Sequence, residues 1–145
     1  MNHQLTKIVL TAYQALRDED KLLRRGNPLN LVTHPQGKGG ILSVYLERVY
    51  QYLVARSLMS LPQYSVNIEL DKHDLVLSDI KDNSKWFVVI EMKCWRSSNG
   101  QKEISSFRKD IVRLTSCPAE KALFLIYSDS PIGKTREYIR ELQNK

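Results

Sequence analysis

The residues with the clearest chemical potential are a carboxylate and a lysine at the end of the most apolar run in the chain, with a second carboxylate on the strand before it. Val88-Val89-Ile90 leads directly into Glu91-Met92-Lys93. On a strand, residues two apart point to the same face, about 6–7 Å from one another along it. Charge at the end of such a strand is costly unless it is used or paired. A second carboxylate, Asp74, lies upstream across a turn spanning Lys81 to Ser84. If Asp82-Asn83 is the centre of that turn, Asp74 falls opposite Glu91, with Cβ atoms about 4.5–5.5 Å apart. Two carboxylates that close repel unless a proton or a cation separates them. The separation suits a shared Mg²⁺, whose oxygen ligands lie at about 2.0–2.1 Å. A metal-bound hydroxide beside a lysine is equipment for hydrolysing a phosphodiester, where the phosphate must be neutralised and the leaving alkoxide stabilised. The Glu-x-Lys spacing alone is uninformative, since Glu19-Asp20-Lys21 repeats it and Asp79-Ile80-Lys81 is close to it. Position at the end of an apolar strand is what distinguishes Glu91 and Lys93.

Those residues need a sheet to hold them, and the hydrophobic periodicity supplies one. Leu5, Ile8, Val9, Ala12 and Leu16 recur at helical spacing, which predicts a helix over Leu5 to Leu23. Arg24 to Gly40 is rich in Gly and Pro and reads as a long loop. A second helix is predicted from Ile41 to about Ser60, with Leu42, Tyr45, Leu46, Val49, Leu53 and Leu58 near one face and Pro62 ending it. Tyr64 to Leu70, Asp74 to Ile80 and Trp86 to Cys94 read as strands, the third covered on both faces. An amphipathic helix follows from Gln101 to Ser116, with Ile104, Phe107, Ile111 and Leu114 as its inward stripe. Ala122 to Tyr127 is a buried strand and Pro131 to Leu142 a closing helix. The expectation is one α/β domain over residues 1–145, built as an α+β mixed sheet. Its first three strands form an antiparallel meander, and the strand–helix–strand piece from Trp86 to Tyr127 is a right-handed parallel crossover.

Asp74 followed by Glu91-x-Lys93 on this order of elements resembles the PD-(D/E)XK nuclease superfamily. The resemblance covers about Gly39 to Asp129 and implies a restriction-endonuclease-like αβββαβ core at 41–129. An N-terminal helix and loop at 1–40 and a C-terminal helix at 130–145 lie outside it. It implies that Asp74 and Glu91 bind Mg²⁺, with Mn²⁺ able to substitute, and that Lys93 orients or activates the attacking water. Many members add a glutamate from the first core helix, which corresponds here to Glu47, a third metal ligand. His73 stands before Asp74 where the family name has proline. The activity implied is metal-dependent hydrolysis of DNA. The alternative is a non-catalytic nucleic-acid-binding or regulatory protein on the same fold; a third reading is a module that binds protein.

Charge placement agrees with a polyanionic partner. The chain carries a formal net charge of +6. Lys93, Arg96, Lys102, Arg108, Lys109 and Arg113 crowd one short stretch against Glu103 and Asp110. Such groups contact phosphates, and Trp95 offers a plane for a base or sugar. Arg108, Lys109 and Arg113 equally suit the solvated back of their helix. The N-terminal helix, outside the resembling core, could serve a homodimer that cuts both strands.

Other chemistries find less support. Cys94 and Cys117 with His3, His34 and His73 offer no zinc spacing and no disulfide framework. Ser128 to Thr135 ends in Gly-Lys-Thr like a phosphate-binding loop, but serine replaces its first glycine. Ser130-Pro131 as a helix start explains that segment more simply. No leader or membrane-spanning pattern is evident, so a cytoplasmic protein is expected.

Overall fold

The structure, a computed structural model, describes residues 3–25, 47–95, 101–128 and 140. The Gly/Pro loop, the start of the helix expected from Ile41, Arg96, and the segment carrying Gly133-Lys134-Thr135 lie outside the described residues. So does the closing helix, apart from Arg140.

The elements run α1 (His3–Arg25), α2 (Glu47–Leu58), β1 (Tyr64–Leu70), β2 (His73–Asp79), β3 (Asp82–Trp95), α3 (Gln101–Thr115) and β4 (Lys121–Ser128). The four strands form one sheet in the order β1-β2-β3-β4. β1–β2 and β2–β3 are antiparallel, and β3–β4 is parallel. This is a mixed α+β sheet, as the periodicity predicts.

Strand alternation sorts the core into two layers. Leu75, Leu77, Val88, Ile90 and Met92 meet Ile8, Ala12 and Leu16 of α1 and Tyr50, Val54, Ala55 and Leu58 of α2. Val76 and Val89, one residue out of step, face Leu114 of α3, with Trp86 and Phe124 packed alongside. Helices therefore cover both faces of the central β3, which explains its continuous apolar run. The α1 helix is part of this core rather than a free arm, although Leu10 and Tyr13 on its outer side are exposed.

Two inward stripes differ from expectation. In α2 the buried residues are Tyr50, Gln51, Val54, Ala55 and Leu58, whereas Val49 and Leu53 are half-buried. The helix is apolar over a wide arc, and packing against both α1 and the sheet selects its centre. In α3, Phe107, Asp110 and Leu114 are buried and Ile104 and Ile111 only partly so. Past Leu58, Ser60 N–H donates to Ser57 and Leu61 N–H to Leu58, tightening the chain before Pro62.

The turns deliver the site strands. Leu70 pairs with His73 across Asp71-Lys72, whose φ values are 48° and 68°. Two left-handed residues make the hairpin turn whose twist matches the strands. Lysine carries a Cβ penalty there, so Lys72→Gly is expected to raise stability by up to about 1 kcal/mol, read as a higher urea midpoint at unchanged slope. The β2–β3 turn is not centred where expected. Asp79 pairs with Asp82, leaving Ile80-Lys81 at the tip. Asp79 Oδ1 accepts the Lys81 N–H at 2.7 Å, a local side-chain capture that closes the turn early. Register shifts on either side of Ser78 absorb the difference. Beyond them Leu77 pairs with Val88 and Leu75 with Ile90, which is the register expected at the site.

Candidate active site

Eight side chains from four elements meet at the far end of that hairpin. Glu47 and Gln51 lie one turn apart on α2, so they share a face. β2 contributes His73 and Asp74, β3 contributes Glu91 and Lys93, and α3 contributes Asp110 and Arg113 one turn apart.

Asp74 is held at both oxygens. Gln51 Nε2 donates to Oδ1 at 2.8 Å, and the Met92 backbone N–H donates to Oδ2 at 2.6 Å. The β2–β3 ladder pairs reach Leu75 and Ile90. Beyond that point the carboxylate serves a backbone donor of β3. Glu69, across from Asp74 on β1, adopts a left-handed φ of 55°, and Asp74 has no ladder partner there.

Glu91 is fully buried and still carries two partners. Arg113 forks onto it, Nε to Oε1 at 3.2 Å and Nη2 to Oε2 at 2.7 Å. His73 Nδ1 lies 2.8 Å from Oε1, with its ring edge-on to Trp86 at 6.0 Å. Arg113 Nη2 also donates to Asp110 Oδ1 at 2.8 Å. Lys93 Nζ bridges Glu47 Oε1 at 3.1 Å and Asp110 Oδ2 at 3.4 Å.

Burial and charge pull on these groups in opposite directions. Burial pushes the Glu91 carboxyl up, and the nearby Asp74 charge adds to this; the Arg113 and His73 contacts pull it down without cancelling the rise. Burial pulls the Lys93 ammonium down, but Glu47, Asp110 and Asp74 outweigh it, so the net direction is upward. Lys93 is therefore a cation at neutral pH. Arg113 is likewise opposed by burial and held charged by Glu91, Asp110 and Asp74.

Glu47, Asp74, Glu91 and Lys93 lie together on three elements; spacing singled out Asp74, Glu91 and Lys93, and the resemblance added Glu47. Asp74 and Glu91 are near enough to interact electrostatically, yet their oxygens take different partners. Among the basic residues, Arg108 and Lys109 are exposed on α3. Arg113 is turned inward onto Glu91 instead of lying on their outer face. Arg96 and the side chains of Trp95 and Lys102 lie outside the described residues. Gln51, His73 and Asp110 are the participants that sequence reasoning missed. Two had a readable signal: Gln51 follows Glu47 by four residues, and Asp110 falls between Phe107 and Leu114 on the inward stripe. His73 was noticed only as a replaced proline.

Among the described residues, no group of three or more His, Cys, Asp or Glu side chains is arranged to hold a metal ion. Each carboxylate is taken up by the cation or amide beside it. No protein-family model, curated protein or solved structure matches the chain.

Proposed function

We propose that the chain is a metal-dependent nuclease hydrolysing DNA phosphodiester bonds at the cluster of Glu47, Asp74, Glu91 and Lys93. The observation that carries this reading is the convergence of Glu47 of α2 and Asp74 of β2 on the Lys93 ammonium of β3, with Glu91 close enough to Asp74 to feel its charge, on the elements the PD-(D/E)XK resemblance implies. The donor chemistry suits Mg²⁺: the carboxylates offer hard oxygens, and one buried acceptor, Gln51 Oε1, has no hydrogen-bond partner among the described residues. Asp74, Glu91 and Glu47 would hold the ion, which when bound supplies neutralising charge and acidifies a water. Glu91 would first have to release Arg113.

The chain's own groups account for the remaining work. Gln51 and the Met92 amide fix the direction of the Asp74 carboxylate. Lys93 would donate N–H to a phosphate oxygen or to the attacking water and add positive charge there. Arg113, about a third exposed at its side chain, adds a second positive charge. Arg108 and Lys109, exposed on α3, would supply phosphate contacts in this reading.

The test is cleavage of linear and supercoiled DNA during a Mg²⁺ and Mn²⁺ titration. Cutting should require the metal and disappear in Asp74→Ala. Cleavage that survives in both Asp74→Ala and Lys93→Ala would overturn the assignment. One observation favours a second reading: Glu91 is buried under Arg113 and His73, as in a protein that keeps the fold for binding alone. That reading expects salt-sensitive DNA binding with neither cutting nor a metal effect.

A further inference from the structure

The exposed residues of α2 are Arg48, Tyr52 and Arg56, and they form one ridge. Each stands four residues and about 6 Å beyond the last along the helix. Met59 extends the ridge: its N–H still donates to the Ala55 carbonyl, as in a helix. Tyr52 is 56% exposed and Met59 59%, so an aromatic ring and a thioether stand in water beside guanidinium groups. No acid interrupts them, since the one carboxylate of α2 is Glu47, which pairs with Lys93. Arg48 does meet Glu69 at 3.2 Å, but both are largely exposed, and such a pair gives way readily to a stronger anion. Alternating cations and ring surface match a nucleic-acid strand, whose phosphates take the arginines while its bases stack on the ring. Stacking needs an open base face, which a duplex does not offer. The ridge also starts beside the site. Glu47 and Gln51 each precede a ridge residue by one position, about 100° around the helix, and the Glu47 side chain is itself partly exposed.

We infer that Arg48, Tyr52 and Arg56 form a track for single-stranded DNA running along α2 from the Glu47 end: the two guanidinium groups hold phosphates, and Tyr52 stacks on a base. The use of this track in cleavage rests on the nuclease reading above and deepens it by naming the form of DNA. The binding itself asks nothing of a metal.

The experiment is fluorescence anisotropy of the full chain in EDTA, which keeps metal-dependent cutting out of the readout. The probes are a labelled mixed-sequence DNA single strand, the same strand in duplex, and the same sequence as RNA. All three side chains are exposed, so truncating them leaves the fold intact. Tyr52→Ala should weaken single-strand binding about tenfold or more, the usual loss of one base–aromatic stack, and leave duplex binding unchanged. Tyr52→Phe keeps the ring and should bind like wild type. Arg48→Ala combined with Arg56→Ala should reduce the slope of log affinity against log salt by about 1.4, since each phosphate contact on a single strand contributes about 0.7. Unchanged affinity and slope in these variants overturn the track and leave the nuclease reading standing. An equal loss on duplex and single strand in Tyr52→Ala overturns the stacking and with it the track, and tighter binding of the RNA overturns the choice of DNA. Absence of Mg²⁺-dependent cutting by wild type, with the binding losses as expected, overturns the nuclease reading alone.

Discussion

Lys93→Ala is expected to slow metal-dependent DNA cleavage by at least about 10²–10³-fold, the usual cost of removing one positioned donor from a developing negative charge. The same change should leave Mn²⁺ affinity unchanged or tighter. Lys93 Nζ occupies the space between Glu47 and Asp110, so its removal takes a competing cation out of the carboxylate cluster. A fall in rate with no loss of metal separates a group that acts in the reaction from one that merely holds the site together. Lys93→Arg should not restore the rate, because a planar fork cannot replace a compact ammonium bridging two carboxylates. Single-turnover cleavage and calorimetry on the same samples measure both quantities. Equal loss of rate and of metal binding would show that Lys93 has no separate role in the chemistry.

Arg113→Ala is expected to be the most damaging change to stability at the site. Glu91 is fully buried, and the Arg113 fork reaches both of its oxygens. Truncating the arginine leaves that carboxylate with His73 alone, and breaking a buried pair typically costs about 3–5 kcal/mol. Arg113 is partly exposed, which places the expectation at the lower end of that range. Urea denaturation should show the loss as a lower midpoint. The double variant Glu91→Gln with Arg113→Met should regain much of it, since a neutral amide no longer demands a countercharge. Additive losses in that cycle would mean that the two side chains are not coupled.

The fold was largely legible because its signals are local. The apolar run Val88-Val89-Ile90 needs cover on both faces, and α1, α2 and α3 provide it. The register of β2 on β3 was also legible as far as Leu75 and Ile90, the last ladder pair before Asp74 and Glu91, though by a different route from the one expected. The turn forms at Ile80-Lys81 because Asp79 captures the Lys81 amide, and the shifts around Ser78 bring the strands back into step. An alternation rule counts residues along a strand and has no means of registering a bulge.

The partners of the charged groups were less legible. Arg113 belongs to a run of basic residues whose charge suggests solvent or phosphate. Only the docking of α3 against β3 turns it onto Glu91, while Arg108 and Lys109, a few residues away, stay exposed. Asp110 reads as an interruption of an apolar stripe until Lys93 and Arg113 are seen beside it. Such pairings join residues up to 46 positions apart, as Lys93 and Glu47 are, and helical or strand periodicity carries no information at that range.

The sequence by itself determined which residue types are available for chemistry and on which elements they ride: carboxylates on α2, β2 and β3, and a lysine two places after Glu91. Hydrophobic periodicity suffices for that, because burial of apolar faces dominates the placement of helices and strands. Only the tertiary structure decided how those charges are shared. Asp74 goes to Gln51 and the Met92 amide, Glu91 to Arg113 and His73, and Lys93 to Glu47 and Asp110. The reason is that a buried charge must find a partner within a few ångströms. Which partner lies that close depends on how α2 and α3 dock against the sheet.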